Sequence, residues 1–285
     1  MKLRLSLLSL LICAVACFGH RSSSVPGDFT WLTTPADSLL AEQILATLKQ
    51  HADEPVSALM VRAGKALDGQ PYVAGTLEET PHEQLAIYLT RTDCILFVET
   101  CLALARTAKS GGGFPELAGE LRRSRYRDGQ VTGFADRLHY TLEWARQGIG
   151  RGTLKDMTPA LGGEVYDHPI HFMSSHPASY PHMDDVEAIR AAEERINAQP
   201  FLQIPKSRLG AALPGIRSGD IICLVSATEG LDIAHVGLAL VEPDGTVRFL
   251  HASSNARKVI LDPKPLPAYL SGRRSLTGIQ VYRPL

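Results

Sequence analysis

The residues with the clearest capacity for chemistry are one cysteine and two histidines. Cys94 directly follows Asp93, a residue type that caps helices, and precedes the apolar run ILFVETCLALA. A helix N-terminus carries about half a positive charge, so a thiol placed there tends to have a lowered pKa and to react as a thiolate. Cys94 therefore has the position expected of a nucleophile rather than of a buried structural thiol.

A thiol nucleophile needs a base, and the base needs a partner that orients it. His235 and His251 lie in two apolar segments on either side of Pro243-Asp244-Gly245, a strong hairpin-turn signal. Paired strands would place both imidazoles on one sheet face, where His235 can take the thiol proton and His251 can hold His235 in the correct tautomer. A lone cysteine or strand histidine is usually structural, and it is the conjunction of all three that indicates catalysis.

The remaining cysteines do not form a disulfide framework. The sequence has five cysteines, of which Cys13 and Cys17 lie near its start. On one helix, Cys94 and Cys101 would be about 10.5 Å apart along the axis, too far for a bridge. With Cys223, the body of the chain has an odd number of cysteines, which favours a free and functional thiol.

The first residues have the pattern of a secretory signal. A basic stretch precedes an apolar run over 5–15, and Ala14-Val15-Ala16 supplies the small residues of a cleavage site. We therefore expect a signal peptide over 1–16, a linker over 17–35 and an exported protein, with a possible lipid anchor at Cys17. No segment has the ~20 consecutive apolar residues of a membrane-spanning helix, so we expect no transmembrane segment.

Helical patterns come first in the chain and strand patterns come last. Apolar residues at three- and four-residue spacing predict helices over 37–51, 55–67 and 94–108. The predicted strands are DIICLVSA, AHVGLALVE, TVRFLHAS, KVILD and GIQVYRP. This order predicts a single α+β domain over 36–285, in which N-terminal helices pack on an antiparallel sheet.

Residues 107–215 form a long predicted insertion with no clean repeat. It contains helical stretches near 134–146 and 184–198, and a loop rich in histidine and proline lies between them. We expect the insertion to shape a substrate pocket. The formal net charge of -1 and the pI near 6.8 give no indication of a nucleic-acid partner.

Five motifs resemble the NlpC-type, papain-like cysteine hydrolases of bacterial peptidoglycan. The motifs are GQPYVAG (69–75), TDCILFV (92–98), RSGDIICL (217–224), HVGLAL (235–240) and HASS (251–254). The resemblance implies a papain-like fold with Cys94 as nucleophile, His235 as base and His251 as the third polar residue. It also implies that the hydroxyl of Tyr72 lies near the developing oxyanion, and that the reaction needs no metal or other cofactor.

A larger part of the chain is similar to the N-acetylmuramoyl-L-alanine amidase-like branch, formerly a domain of unknown function. The supporting segments are YVAGTLE, DCILFVETCLALA, SRYRDGQVTGFADRLHYTLEW, FMSSHPASY and GLDIAHVGLAL. The branch implies a peptidoglycan or muropeptide substrate, cleavage of the amide between N-acetylmuramic acid and L-alanine, and a bacterial periplasm or cell envelope as the location. Phe134 and Ala135 depart from the expected Tyr and Ser, which affects no catalytic role.

Candidate substrate-binding residues are taken from the insertion and from the HASS motif. They are Arg125, Tyr126, Arg137, His139, Tyr140 and Ser253. For any one of them, a basic and aromatic solvated face is at least as good an interpretation.

Three alternatives remain open at this stage. A stem-peptide endopeptidase that cuts between D-Glu and the diamino acid would use the same catalytic residues. A metal amidase could use His168, His171, His176 and His182, although the sequence has no H-E-x-x-H. A non-catalytic envelope glycan-binding protein would use the cleft as a clamp. A serine hydrolase is not supported, because the sequence has no G-x-S-x-G.

Overall fold

The computed structural model describes residues 29–285. The predicted signal peptide over 1–16 and the predicted anchor at Cys17 lie outside the described residues. Within the predicted linker, Trp31–Leu32 (β1) pairs in parallel with Leu85–Ala86 (β2), and the Trp31 side chain is buried. This part of the predicted linker is therefore packed on the domain.

The helices and strands have the α+β arrangement that the sequence predicts. The helices are α1 (Pro35–Lys49), α2 (Val56–Ala66), α3 (Cys94–Lys109), α4 (Phe114–Arg125), α5 (Thr141–Gly150), α6 (Phe172–Ser175), α7 (Val186–Asn197), α8 (Leu209–Ala212) and α9 (Leu266–Leu270). The further strands are β3 (Leu154–Asp156), β4 (Glu164–Val165), β5 (Leu202–Pro205), β6 (Ile221–Ser226), β7 (Ile233–Val241), β8 (Val247–Ser253), β9 (Lys258–Pro265) and β10 (Leu276–Pro284). None of the helices within 29–285 is long and apolar enough to cross a membrane.

The main sheet has the strand order β4-β5-β10-β6-β7-β8-β9, and β3 adds to β10. Its pairings are antiparallel, as the hairpin signals indicate. The turn between β7 and β8 closes where predicted: the Gly245 N–H donates to the Glu242 carbonyl, and Gly245 has φ 84°, a value that glycine adopts without strain.

Helix α3 lies at the centre of the molecule. Asp93 caps it, since its side chain accepts a 2.9 Å hydrogen bond from the Leu96 N–H. One side of α3 packs on α1, α2 and α4, and another packs on β7 and β8. Phe97 and Leu104 are completely buried, and burial of a side chain of this size is worth about 1.5–3 kcal/mol. The first turn of α3 is therefore held against the strands that carry the two histidines.

The predicted insertion supplies structure to both layers of the domain. Helix α4 packs on α3, and β3 and β5 both pair with β10 of the main sheet. The helix predicted over 134–146 is wrong in its first half. A single 3-10 turn covers Phe134–Asp136, and the Leu138 N–H then donates to the Arg125 carbonyl, so the chain runs extended until α5 begins at Thr141.

Candidate active site

Cys94 is the first residue of α3 and is half-buried. Helix α3 packs on β7, the strand that carries His235, and the backbone N–H groups of Val236 and Ile95 act to lower the pKa of the Cys94 thiol. The hydrogen bonds of residues 29–285 include none between the Cys94 thiol and the His235 ring, and such contacts often tighten only when substrate binds. The structure thus places the thiol and the imidazole on adjoining elements of one site.

The protonation state of Cys94 differs from the sequence-based expectation. Burial raises the pKa of the thiol to about 12, and the neighbouring Asp93 carboxylate acts in the same direction. The N–H groups of Val236 and Ile95 lower the pKa but do not compensate. Desolvation therefore outweighs the helix end and favours the neutral thiol, whereas the position at the helix N-terminus taken alone favours a thiolate.

His235 and His251 are brought together as their strands suggested. His235 Nε2 lies 2.6 Å from His251 Nδ1, and the two rings are nearly perpendicular. The His251 ring is fully buried and stacks on Phe249 at a centroid distance of 4.6 Å. Gly237 of β7 faces this ring, since a Cβ on Gly237 would come within 2.7 Å of the His251 Cβ. A side chain at position 237 would therefore have to displace His251 or its neighbours on β8.

Both imidazoles are neutral at ordinary pH. Burial lowers the pKa of His235 to about 3, and the neighbouring His251 and Arg273 add to the effect. Burial, followed by Arg273, lowers the pKa of His251 to about 4. A neutral imidazole has one free lone pair, so this pair can accept a proton from the thiol.

Tyr72 is held beside Cys94 by an extended segment. The Val73 N–H donates to the Thr92 carbonyl and the Tyr72 N–H donates to the Arg257 carbonyl, each at 2.9 Å. Burial raises the pKa of the Tyr72 hydroxyl to about 12, and the nearby Cys94 and Asp93 act in the same direction. The hydroxyl therefore stays protonated. It can donate a hydrogen bond to the oxyanion that would form on a carbonyl group attacked by the sulfur.

Arg125 and Tyr126 lie in the interior. Arg125 is 3% exposed, its Nε donates to Glu99 at 2.9 Å, and its Nη1 donates to the Ala86 carbonyl at 2.6 Å. The Tyr126 hydroxyl donates to Glu83 at 2.7 Å. These contacts join α4 and the residue after it to α3, to β2 and to the segment before β2. The predicted contact of Arg125 and Tyr126 with substrate gains no support from them.

The other predicted substrate residues are also engaged within the protein. The Arg137 guanidinium pairs with Glu78 and Glu83, and the Tyr140 hydroxyl donates to the buried Glu193 at 2.7 Å. The predicted pocket residues that remain make backbone contacts: His139 Nε2 lies 2.8 Å from the Phe134 carbonyl, and the Ser253 hydroxyl accepts from the Ala256 N–H at 3.1 Å. The contact of these side chains with substrate stays a prediction, because each of them already has a partner within the protein.

Sequence reasoning missed the carboxylate of Asp232. It is 2% exposed and accepts a 2.9 Å hydrogen bond from the Leu142 N–H, so it caps α5 from the strand that leads to His235. Burial raises its pKa to about 6. The sequence signal that could have identified Asp232 is its place next to an apolar strand in GLDIAHV. An aspartate is rarely buried without hydrogen-bond donors.

The four histidines of the metal-amidase alternative do not assemble. No group of three or more His, Cys, Asp or Glu side chains with metal-binding geometry occurs within 29–285. His168 Nε2 lies 2.9 Å from the Leu231 carbonyl and His182 Nε2 lies 3.0 Å from the Glu78 carbonyl, so these rings support loops of the insertion. A site built from these four residues has no support in the described chain.

A family model and a solved structure both point to N-acetylmuramoyl-L-alanine amidases. Residues 62–279 match the model of an N-acetylmuramoyl-L-alanine amidase-like family. A crystal structure of an N-acetylmuramoyl-L-alanine amidase from Bacteroides uniformis is 35% identical, with a TM-score of 0.75, over 81% of this chain and 99% of that one. No match is found among curated proteins.

Two further solved structures share the fold. A Bacteroides fragilis protein provisionally described as a xylanase is 36% identical, with a TM-score of 0.72, over 78% of this chain and 98% of that one. A Legionella pneumophila protein from a domain-of-unknown-function family is 18% identical, with a TM-score of 0.64, over 87% of this chain and 97% of that one. At that identity, the likeness to the Legionella protein concerns the fold alone.

Proposed function

The chain belongs to the N-acetylmuramoyl-L-alanine amidase-like family, and from this premise we propose that it hydrolyses the amide between N-acetylmuramic acid and L-alanine in peptidoglycan by a cysteine mechanism. The observation that carries the proposal is that α3, with Cys94 at its N-terminus, packs on β7, which carries His235, and that His235 Nε2 lies 2.6 Å from His251 Nδ1. A thiol, a neutral base and an orienting group are the parts that thiol-dependent acyl transfer requires.

The neutral resting state determines how the reaction begins. Because the thiol and both imidazoles are uncharged, His235 takes the thiol proton as the sulfur attacks the lactyl carbonyl. The oxyanion accepts a hydrogen bond from the Tyr72 hydroxyl, a contact typically worth about 3 kcal/mol. The protonated His235 then donates to the leaving amine of L-alanine, and a thioester forms on Cys94.

The second half of the reaction is hydrolysis of the thioester, in which His235 again acts as the base. His235, neutral again, takes a proton from water, and the resulting hydroxide attacks the thioester carbonyl. The products are the free muramoyl carboxylate and the regenerated thiol. No step requires a metal or another cofactor, and His251 remains the partner that keeps His235 in the tautomer that can accept a proton.

We further infer a papain-like, NlpC-type fold for the hydrolase domain over 36–285. Helix α3 with the nucleophile at its N-terminus, packed on the antiparallel hairpin β7–β8, supports this inference. We also propose that 107–215 shapes the substrate pocket, and that a signal over 1–16 directs the protein to the bacterial periplasm or cell envelope, with Cys17 as a possible lipid anchor. Mass spectrometry of the mature N-terminus from a bacterial host tests the last proposal.

The experiment that tests the activity is product analysis with a muramoyl tripeptide. We expect the protein to release intact L-Ala-D-Glu-diamino acid, the Cys94→Ala variant to release none, and a chelator to have no effect. Cys101→Ala is the matched control, because Cys101 is a buried thiol on the same helix and should be dispensable for the reaction.

The other outcomes identify the competing functions. Release of the free diamino acid would move the cut to the stem peptide and make the protein an endopeptidase. Binding of the muropeptide without cleavage by the wild type would make it an envelope glycan-binding protein.

A further inference from the structure

The contact between the two histidines constrains where their protons lie. His235 Nε2 and His251 Nδ1 are 2.6 Å apart, and a hydrogen bond of this length holds one proton between two nitrogens. Both rings are neutral, so each carries a single N–H. The proton on one ring therefore decides the tautomer of the other.

Only one of the two possible tautomer arrangements lets His235 act as a base. To accept the thiol proton on Nδ1, His235 must carry its own proton on Nε2 and donate it to His251 Nδ1. His251 Nδ1 must then be the acceptor, so the proton of His251 lies on Nε2. In the opposite arrangement, His235 Nδ1 is already protonated, so it cannot accept the thiol proton.

The surroundings of His251 Nε2 determine whether a proton on this nitrogen is favourable. The ring is completely buried, and within residues 29–285 this nitrogen has no hydrogen-bond partner. A buried donor left unpaired costs about 1–3 kcal/mol. Without a negative charge nearby, the productive tautomer would therefore be disfavoured. A further group must make the N–H at this position favourable.

Asp262 of β9 is placed to do so. Its Oδ2 lies 3.7 Å from His251 Nε2, and its side chain is only 13% exposed. Its other oxygen, Oδ1, accepts a 2.9 Å hydrogen bond from the Lys264 N–H, which fixes the carboxylate plane. The Tyr269 ring packs edge-on against the His251 ring at 5.4 Å and closes the same side of the site.

We propose that Asp262 is a positioning residue, whose carboxylate keeps the proton of His251 on Nε2 and thereby leaves His235 Nδ1 free to take the proton of Cys94. The proposal rests on the thiol mechanism proposed above and adds Asp262 to Cys94, His235 and His251. At 3.7 Å the attraction is electrostatic, and a movement of roughly 0.5 Å would turn it into a direct hydrogen bond.

Asp262→Asn tests the proposal through the tautomer itself. The Asn carbonyl can keep the bond to the Lys264 N–H, and its NH2 group then faces His251 Nε2 and needs an acceptor there. His251 should therefore move its proton to Nδ1. We expect the 15N spectrum of histidine-labelled protein, with His251→Gln to assign the signal, to show Nε2–H in the wild type and Nδ1–H in Asp262→Asn.

Kinetics on the muramoyl tripeptide give the second readout. We expect kcat to fall about 10- to 100-fold in Asp262→Asn with little change in KM, a smaller loss than the ~10⁴-fold cost where the aspartate contacts the base directly. Asp262→Glu should retain Nε2–H and most of the rate. Asp244→Asn is the matched control, because Asp244 also accepts from the N–H two residues on, at 2.8 Å, but lies in the β7–β8 turn.

The two readouts separate this proposal from the proposed function. A proton on His251 Nδ1 in the wild type, or an Nε2–H that persists in Asp262→Asn, would overturn the role of Asp262 whatever the substrate proves to be. An Asp262→Asn variant that retains the full kcat would also overturn the role of Asp262. If no muropeptide is cleaved but the tautomer changes as expected, the positioning role holds and the proposed substrate is wrong.

Discussion

At the scale of single residues, the unexpected property is the raised pKa of the Cys94 thiol. We expect the ultraviolet difference spectrum between wild type and Cys94→Ala to show no thiolate band at neutral pH, because burial raises the pKa of this thiol to about 12. The rate of alkylation by iodoacetamide should keep rising as the pH increases above about 9. A thiolate band already present at neutral pH would instead indicate an ion pair with His235.

Tyr72 allows a second test of a single functional group. Tyr72→Phe removes the hydroxyl while keeping the ring, so we expect kcat to fall about 100-fold with KM nearly unchanged. Tyr88→Phe is a suitable control, since Tyr88 is a buried tyrosine that lies beside Arg91 rather than at the thiol. Equal losses in the two variants would argue against an oxyanion role for Tyr72.

The proximity of α3, which begins at Cys94, to the strands of His235 and His251 could be predicted from the sequence, but the pKa of the thiol could not. Asp93 marks the start of α3 and the Pro243-Asp244-Gly245 turn fixes the strand pair, so Cys94, His235 and His251 follow from local signals. The pKa of Cys94 depends on how closely β7 covers it, and that packing joins parts of the chain far apart in sequence.

At the scale of elements, the hairpin β7–β8 must leave room for the His251 ring. A Cβ at position 237 would lie within 2.7 Å of the His251 Cβ and 2.8 Å of the Leu250 carbonyl. We expect Gly237→Ala to lower the free energy of unfolding by about 1–3 kcal/mol and to abolish most of the activity by displacing His251. Urea unfolding and kinetics on the muropeptide measure the two effects.

Gly150→Ala is the matched control for this substitution. Gly150 is the last residue of α5, and a Cβ there has no neighbour within 4 Å. The control should therefore keep both stability and rate. A Gly237→Ala variant that behaves like it would show that the histidine pair tolerates a side chain across the hairpin.

Elements with strong local patterns were predicted well, and those set by distant contacts were not. The strands β6, β7 and β8 begin and end within about two residues of their apolar runs. Residues 137–140 carry a helical pattern but run extended, because the Leu138 N–H pairs with the Arg125 carbonyl on the preceding segment. A contact of this kind leaves no periodic trace in the sequence.

At the scale of the whole molecule, a buried ion pair attaches the insertion to α3. Arg125 of α4 and Glu99 of α3 form a 2.9 Å pair in which both side chains are at most 4% exposed. We expect Arg125→Ala to cost about 3–5 kcal/mol of unfolding free energy, because it leaves the Glu99 carboxylate buried without its partner. Chemical denaturation measures this loss.

Arg62→Ala is the control for the removal of an ion pair. Arg62 pairs with Glu54 at 2.6 Å on the surface, where solvent screens the interaction, so the denaturation midpoint should hardly change. A similarly small effect of Arg125→Ala would show that the insertion is held by its apolar contacts instead.

The free energy of unfolding depends on pH through two opposing sets of groups. Burial lowers the pKa of His235 to about 3 and that of His251 to about 4, from 6.5, so the unfolded chain binds more protons in this range and stability falls as the pH falls. Burial raises the pKa of Asp232 from 3.8 to about 6. Between those two values the folded chain holds the extra proton, and this group adds stability as the pH falls.

Asp232→Asn removes the second contribution and keeps an oxygen that can cap α5. We therefore expect the variant to lose stability more steeply on acidification, with the difference from wild type changing by about 1–3 kcal/mol between roughly pH 7 and pH 4. Urea unfolding at several pH values measures this change. Parallel stability curves would mean that the Asp232 carboxylate stays ionised, stabilised by the Leu142 N–H and the neighbouring amides strongly enough to offset its burial.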